Sequence, residues 1–96
     1  VVVLKGARTV VAAPDGLAVV NPTGNPGMAT GGTGDVLAGL IGAQLAQGLD
    51  AFAAAVVGVF MHGRAGDLAA ARVGEIAMTA GDVVGALPEA FRGLSV

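Results

Sequence analysis

Residues 22–35 read PTGNPGMATGGTGD, and an apolar helical pattern begins directly behind them. Five of these fourteen residues are glycine. Glycine lets backbone N–H groups approach a bound anion because no Cβ stands in the way. The N-terminus of a helix adds N–H donors without intrahelical partners and the positive end of the helix dipole. The stretch therefore predicts an anion-binding loop that leads into a helix.

Asp35 ends this loop, where a carboxylate would face a bound phosphate with like charge. The charge makes chemical sense if Asp35 takes a proton from a hydroxyl group that attacks phosphorus. The simpler alternative is a flexible loop in which Asp35 only favours the start of the helix. A Walker A motif is excluded because Asp35 follows Gly34 where that motif has lysine. A dinucleotide-binding fingerprint is disfavoured because Leu37 stands where its third glycine belongs.

Three segments of the chain resemble the ADP- or ATP-dependent NAD(P)H-hydrate dehydratases of the ribokinase-like superfamily. Residues 25–39, NPGMATGGTGDVLAG, contain the GxGD anion hole of that superfamily and look like the signature of the dehydratases. KGART at residues 5–9 is similar to a family segment that lies along the nucleotide, and HGRAGD at residues 62–67 is similar to a family helix. The three occur in the family's order, and the resemblance covers nearly the whole chain.

The resemblance implies a reaction and a set of site residues. A hydroxyl group on the hydrated nicotinamide ring of NADH or NADPH is phosphorylated by ADP or ATP, and elimination then restores the cofactor. Asp35 is implied as general base and hydrate contact, with Gly34 as the other catalytic residue. Mg²⁺ is implied for the polyphosphate, but no carboxylates cluster to hold it and no metal ligands are expected in the chain. The implied nucleotide-binding residues are Lys5, Gly6, Ala7, Arg8, Thr9, Asn25, Pro26, Gly27, Met28, Ala29, Thr30, Gly31, Gly32, Thr33 and Gly34.

The fold implied by the resemblance is α/β, the C-terminal part of a ribokinase-like three-layer α/β/α fold. Members of the family are much longer than 96 residues, and their first half carries much of the parallel sheet and of the hydrate pocket. We therefore expect residues 1–96 to be the C-terminal nucleotide-binding portion of one domain. By itself this portion should be inactive, and poorly stable or self-associating. A homo-oligomer is expected.

Two other functions stay open. A ribokinase-like kinase of small alcohols in vitamin metabolism, of the hydroxymethylpyrimidine or hydroxyethylthiazole type, would use the same anion hole and base. The lead-in NPGMAT at residues 25–30 favours the dehydratase over such a kinase. The second alternative is a nucleotide-binding fragment without turnover, which would bind ADP or ATP and repair no hydrate.

Composition excludes several classes of protein. The net charge is −2 and the five basic residues are spread along the chain, so neither nucleic acid nor a membrane is an expected partner. Cysteine is absent, which excludes disulfides and thiolate metal sites and fits a reducing compartment. No apolar run reaches the roughly 18 residues of a membrane-spanning helix. We expect a cytoplasmic protein.

The first twenty residues predict strands. The continuous apolar run at residues 1–4 is typical of a strand buried on both faces. Residues 9–13 and 17–20 predict a hairpin around Pro14-Asp15-Gly16, because proline presets φ and glycine accepts positive φ.

The rest of the chain predicts helices over residues 35–47, 51–71 and 80–87, with Pro88 opening a short final turn. The expected cap residues are Gly48, Asp50 and Thr79. Gly39 and Gly42 lower helix propensity by roughly 1 kcal/mol each, so we expect them to permit close packing against a neighbouring element.

His62, Arg64 and Asp67 lie in the second half of the long helix, where Arg64 and Asp67 are about one turn apart. The simplest interpretation is a partly buried polar helix end with a contact between Arg64 and Asp67. On that interpretation the three side chains lie too far along their helix to reach the hydrate beside Asp35.

Overall fold

The computed structural model describes residues 1–6 and 8–93 as a small α/β unit, in which a three-stranded sheet precedes three helices. The strands are β1 (Val2–Leu4), β2 (Val10–Ala12) and β3 (Ala18–Val20), and the helices are α1 (Thr33–Ala46), α2 (Ala51–Val73) and α3 (Ala80–Arg92). A single 3-10 turn, Pro26–Met28, lies in the loop between β3 and α1.

The sheet is an antiparallel meander with β2 at its centre. Val3, Val11 and Val19 stand opposite one another in the three strands, so their side chains share one face. That face packs on the helices, and Val11 is only 1 % exposed. The buried cluster around Val11 is completed by residues of α1 and α2, namely Leu37, Ala55 and Val59.

The prediction that the first strand is buried on both faces is wrong for this structure. Val2 and Leu4 are 54 % and 60 % exposed. Among the described residues β1 pairs only with β2, and the helices cover just the Val3 face of the sheet. This chain therefore contributes one layer of helices and part of a sheet to an α/β fold.

The hairpin forms as predicted. Gly16 has φ +93°, the left-handed conformation that glycine adopts without strain. The carboxylate of Asp15 accepts a hydrogen bond of 3.0 Å from the Leu17 N–H, which closes the turn. This turn brings β3 back along β2, and the chain then enters the glycine-rich loop.

The predicted helix caps are confirmed. Gly48 takes φ +97° just after α1. The Asp50 side chain accepts from the Ala53 N–H at 2.8 Å at the start of α2. Thr79 and Asp82 form a reciprocal capping box at the start of α3. None of the helices in the described part of the chain is long and apolar enough to cross a membrane.

The predicted end of the third helix at residue 87 is wrong, because Pro88 lies inside α3. A proline within a helix costs about 3 kcal/mol. The packing beyond it offsets that cost, since Ala90 is fully buried and Phe91 packs against the same cluster. This cluster joins α3 to α2, with Met61, Ala65 and Val83 among its buried members.

Close packing of α1 on α2 occurs at Gly58, and the prediction that Gly39 and Gly42 provide it is wrong. A Cβ built on Gly39 or Gly42 would have no atom within 4 Å outside its own helix, whereas one on Gly58 would lie 2.6 Å from Cγ1 of Ile41. On α1, Gln44 is buried, whereas Leu45 is 46 % exposed.

Candidate active site

A cavity of about 540 Å³ lies where the end of β1, the glycine-rich loop and the helices α1 and α2 meet. Nine of the residues predicted from the sequence line it: Lys5, Gly6, Thr9, Asn25, Pro26, Met28, Ala29, Thr33 and Gly34. The structure thus brings the KGART and NPGMATGGTGD segments together around one space. Seven further residues complete the wall: Asn21, Thr23, Gly24, Leu37, Val59, His62 and Gly63.

The other predicted residues do not line this cavity. They are Arg8, Gly27, Thr30, Gly31, Gly32 and Asp35, while Ala7 lies outside the described residues. Gly27 and Thr30 line a second cavity of about 410 Å³, together with Glu75, Ile76 and Met78. Pro26 and Ala29 line both cavities. The loop therefore borders both cavities.

Positive charge and helix geometry converge beside Gly34. Gly32 has φ +89° and turns the chain into α1, whose second residue is Gly34. The first turn of a helix presents N–H groups that have no intrahelical partner. A Cβ on Gly34 would lie 3.1 Å from Nζ of Lys5, so the ammonium group reaches the same point. Both features favour a bound anion there.

Asp35 is an exposed carboxylate in the first turn of α1. It directly follows Gly34, which lines the cavity, although Asp35 itself is not part of the wall. A carboxylate at this position is stabilised by the helix dipole. A carboxylate is chemically able to accept a proton.

Thr33 connects the 3-10 turn to the start of α1. Its side chain is buried, and Oγ1 is within hydrogen-bond distance of two carbonyl oxygens, Met28 at 2.7 Å and Thr30 at 2.9 Å. A hydroxyl group has one hydrogen, so it donates to one of them at a time. In either case Thr33 fixes the loop relative to the helix that begins at the anion site.

The expected contact between Arg64 and Asp67 is wrong. The carboxylate of Asp67 instead accepts from the Gly24 N–H at 3.0 Å and from Nδ2 of Asn25 at 2.9 Å. The Arg64 guanidinium lies against Gly93 at the end of α3. Residues one helical turn apart can form an ion pair, but here the carboxylate of Asp67 is hydrogen-bonded to Gly24 and Asn25 of the loop.

His62 lies in the cavity wall, whereas Asp35, beside which the hydrate is expected, does not line that cavity. Burial is the largest effect on the pKa of His62 and lowers it. A hydrogen bond with the Thr33 backbone partly opposes this, and the positive charge of Lys5 lowers the pKa a little further. Its Nε2 is buried and has no hydrogen-bond partner among the described residues. The HGRAGD motif was the sequence signal for both His62 and Asp67.

Comparison with known proteins gives one consistent result. The family model described as NAD(P)H-hydrate dehydratase matches residues 1–89. The chain is 55 % identical over 94 residues to the bifunctional NAD(P)H-hydrate repair enzyme Nnr of Moorella thermoacetica, covering 98 % of this chain and 18 % of that protein. It is 47 % identical to the ADP-dependent (S)-NAD(P)H-hydrate dehydratase of Neisseria meningitidis, covering 97 % of this chain and 30 % of that protein.

A solved structure agrees with these relatives. The crystal structure of the ADP/ATP-dependent NAD(P)H-hydrate dehydratase from Bacillus subtilis, co-crystallised with ATP and Mg²⁺, superposes with a TM-score of 0.88 at 37 % identity and covers 94 % of this chain and 32 % of that one. The fold is thus part of a ribokinase-like domain. The chain spans less than a third of the length of each of these three relatives. All three are hydrate dehydratases or repair enzymes, which favours that activity over a small-alcohol kinase.

Proposed function

This chain belongs to the NAD(P)H-hydrate dehydratase family, and from that premise we propose that the protein repairs hydrated NADH and NADPH in a reaction driven by ADP or ATP. The observation that carries the proposal is the meeting of Lys5 and the start of α1 at one point of the cavity. Asp35 follows directly in the chain. An anion site with a base beside it is what phosphoryl transfer to a hydroxyl group requires.

Lys5 and the backbone of residues 32–34 would hold the terminal phosphate of the nucleotide. Phosphoryl transfer involves little covalent chemistry for the protein, so most of the catalysis comes from position and charge. The N–H groups at the start of α1 and the Lys5 ammonium group would stabilise the negative charge that develops on the transferred phosphoryl oxygens.

Asp35 would accept the proton of the hydroxyl group on the hydrated nicotinamide ring as its oxygen attacks the terminal phosphorus. The bond from that phosphorus to the nucleotide breaks, and the shortened nucleotide leaves. The new phosphate ester is a good leaving group, so its C–O bond breaks while the neighbouring ring carbon loses a proton, which forms the ring double bond of NADH or NADPH and releases inorganic phosphate. Lys5 and the loop backbone would hold the phosphate in both steps.

The cavity fits a nucleotide better than it fits a metal ion by itself. No group of three His, Cys, Asp or Glu side chains lies close enough to hold a metal within residues 1–6 and 8–93. Mg²⁺ keeps several waters and binds through one or two carboxylates together with substrate phosphates. Mg²⁺ would therefore come to this site with the polyphosphate, whose charge it neutralises.

The test is recovery of the near-ultraviolet absorbance of reduced nicotinamide when the purified complete enzyme domain that contains residues 1–96 receives the hydrate, Mg²⁺ and either ADP or ATP. We expect recovery that depends on nucleotide, with one phosphate released per hydrate repaired. A small-alcohol kinase would phosphorylate its alcohol and leave the hydrate untouched. A fragment without turnover would bind ADP in a calorimeter and give no recovery. Either result would contradict the proposed activity.

Three further expectations from the sequence join this proposal. Residues 1–96 form the C-terminal nucleotide-binding portion of one domain, the protein is a homo-oligomer, and it works in the cytoplasm. The absence of cysteine supports the reducing compartment. Light scattering and cell fractionation test the last two.

A further inference from the structure

Asp67 makes two hydrogen bonds that join distant parts of the chain. One carboxylate oxygen accepts from the backbone of Gly24 at 3.0 Å and the other from the side chain of Asn25 at 2.9 Å, across 43 and 42 residues of sequence. An ionised carboxylate only accepts hydrogen bonds, and here each oxygen meets a donor. Charge-assisted hydrogen bonds are stronger than neutral ones, and both of these are exposed to solvent.

The second of these bonds continues into the 3-10 turn. Nδ2 of Asn25 donates to Asp67, and Oδ1 of the same amide accepts from the Gly27 N–H at 3.0 Å. Asp67 therefore fixes which way the Asn25 amide points, and the amide in turn caps the turn Pro26–Met28. Hydrogen bonds thus connect Asp67 of α2, through Asn25, to Gly27 in the turn beside the cavity.

The surface of α2 beneath the loop is shaped to receive it. A Cβ on Gly63 would lie 2.8 Å from backbone and side-chain atoms of Thr23, and one on Gly66 would lie 2.6 Å from the Cε methyl of Met28. The Thr23 hydroxyl also lies 3.1 Å from the Phe60 carbonyl oxygen, to which it can donate. The two glycines of HGRAGD thus let the loop touch the helix, and Asp67 holds it there.

Asp67 itself is not in the cavity wall, whereas Gly24 and Asn25 are. We propose that Asp67 is a positioning residue, which holds residues 23–28 against α2 in the conformation that binds the nucleotide. The inference deepens the proposed function and rests on it for the identity of the ligand. Asp67, the last residue of HGRAGD, would thus affect nucleotide affinity although it does not contact the nucleotide.

Asp67→Asn is the first test, because asparagine can accept from Gly24 but must turn an NH₂ group toward one of its two donors. We expect the dissociation constant for ADP, measured by calorimetry, to rise about tenfold or more. The KM for ADP should rise equally, while kcat at saturating ADP should change much less, because Asp35 and α1 remain in place. Asp50→Asn is the control, since it removes the same charge from the other end of α2 and asparagine caps helices as well as aspartate.

The reciprocal pair Asp67→Asn with Asn25→Asp is the second test. Asparagine at position 67 can accept from Gly24 and donate to the new carboxylate at position 25, whose other oxygen can accept from the Gly27 N–H. The pair should recover part of the ADP affinity that either single variant loses. A residue that only stabilised the fold would show no such recovery.

Amide hydrogen exchange separates this inference from the proposed function. In the unchanged protein the Gly24 and Gly27 amides should be protected, and Asp67→Asn should remove that protection while the core of α2 keeps its own. Equal exchange in both proteins, or an unchanged ADP dissociation constant in Asp67→Asn, would overturn the positioning role. Failure of the unchanged protein to bind ADP at all would reject the proposed function, and the exchange result alone would then decide on Asp67.

Discussion

The ammonium group of Lys5 lies beside Gly34 at the start of α1, in the space next to a side chain at position 34. A Cβ on Gly34 would stand 3.1 Å from Lys5 Nζ, so alanine there would require the ammonium group to move by a few tenths of an ångström away from the start of α1. We expect Gly34→Ala to weaken ADP binding about tenfold, the value of one charge-assisted hydrogen bond. Gly39→Ala lies five residues further along α1 with no atom within 4 Å. It should leave ADP affinity unchanged and raise stability by about 0.5–1 kcal/mol. Calorimetry on both variants checks this, and equal ADP affinity would mean that Lys5 does not bind the phosphate.

The carboxylate of Asp35 is the other residue on which the proposed chemistry depends. Asp35→Asn keeps the size of the side chain and removes its ability to accept a proton at neutral pH. General bases contribute roughly 10²- to 10⁴-fold to rate, so we expect kcat to fall by about that factor. ADP should bind as tightly as before or more tightly, because a negative charge beside the phosphate is gone. Turnover close to that of the unchanged protein would exclude the general-base role.

His62 makes stability depend on pH. Burial lowers its pKa below the ordinary 6.5, so between the two values the unfolded chain binds more protons than the folded one. Its contribution to the free energy of unfolding should be fully present above pH 6.5 and be lost as pH falls through the lowered pKa. The chain has one histidine, so His62→Gln should flatten this slope. Urea unfolding between about pH 5 and 7 measures it, and an identical slope in the variant would refute the assignment.

The residues of the site divide into those that sequence can predict and those that it cannot. Thr33 and Gly34 were predicted because they belong to a glycine-rich segment that precedes a helix, and Lys5 was predicted from the resemblance of KGART at residues 5–9 to a family segment. His62 and Asp67 were underestimated because their roles depend on which face of α2 the loop crosses. That crossing depends on Gly63 and Gly66, which carry no chemistry of their own.

Among the elements, the contact between α1 and α2 depends on one glycine. A Cβ on Gly58 would lie 2.6 Å from Cγ1 of Ile41 and 3.3 Å from its backbone, so alanine there must push the two helices apart. Overpacking of this kind costs about 1–3 kcal/mol. Gly42→Ala is the matched control on α1, because its Cβ would meet nothing within 4 Å. It should stabilise by about 0.5–1 kcal/mol. Thermal unfolding of the two variants checks the difference, and similar midpoints would show that the helices can separate without cost.

Local signals explain which elements the sequence predicted well. Caps such as Asp50 and Thr79 act on backbone groups within three residues, so the sequence determines them almost completely. The course of α3 through Pro88 depends instead on burial of Ala90 against α2. Gly58 and Gly42 are indistinguishable by propensity, and only packing separates them.

At the scale of the whole molecule, the sheet is apolar on both faces although helices cover only one. Leu4, Val10 and Val20 stand opposite one another in the three strands, and Val2 lies on the same face. Val2, Leu4 and Val20 are each more than half exposed. A sheet of this composition is typical of α/β folds that are covered on both sides. The apolar run of β1 predicted burial on both faces. Among the described residues, however, no element packs on the face that carries Val2 and Leu4.

We therefore expect the purified 96-residue chain to self-associate through this face. Val2→Thr together with Val20→Thr keeps β-branched side chains in both strands and makes the face more polar, so association should weaken while the fold persists. Val84→Thr is the control, because Val84 is 49 % exposed on α3, away from the sheet. It should leave the association unchanged. Sedimentation equilibrium of the three proteins decides the matter. A monomer in the unchanged chain, or equal weakening by Val84→Thr, would mean that the sheet face does not drive association.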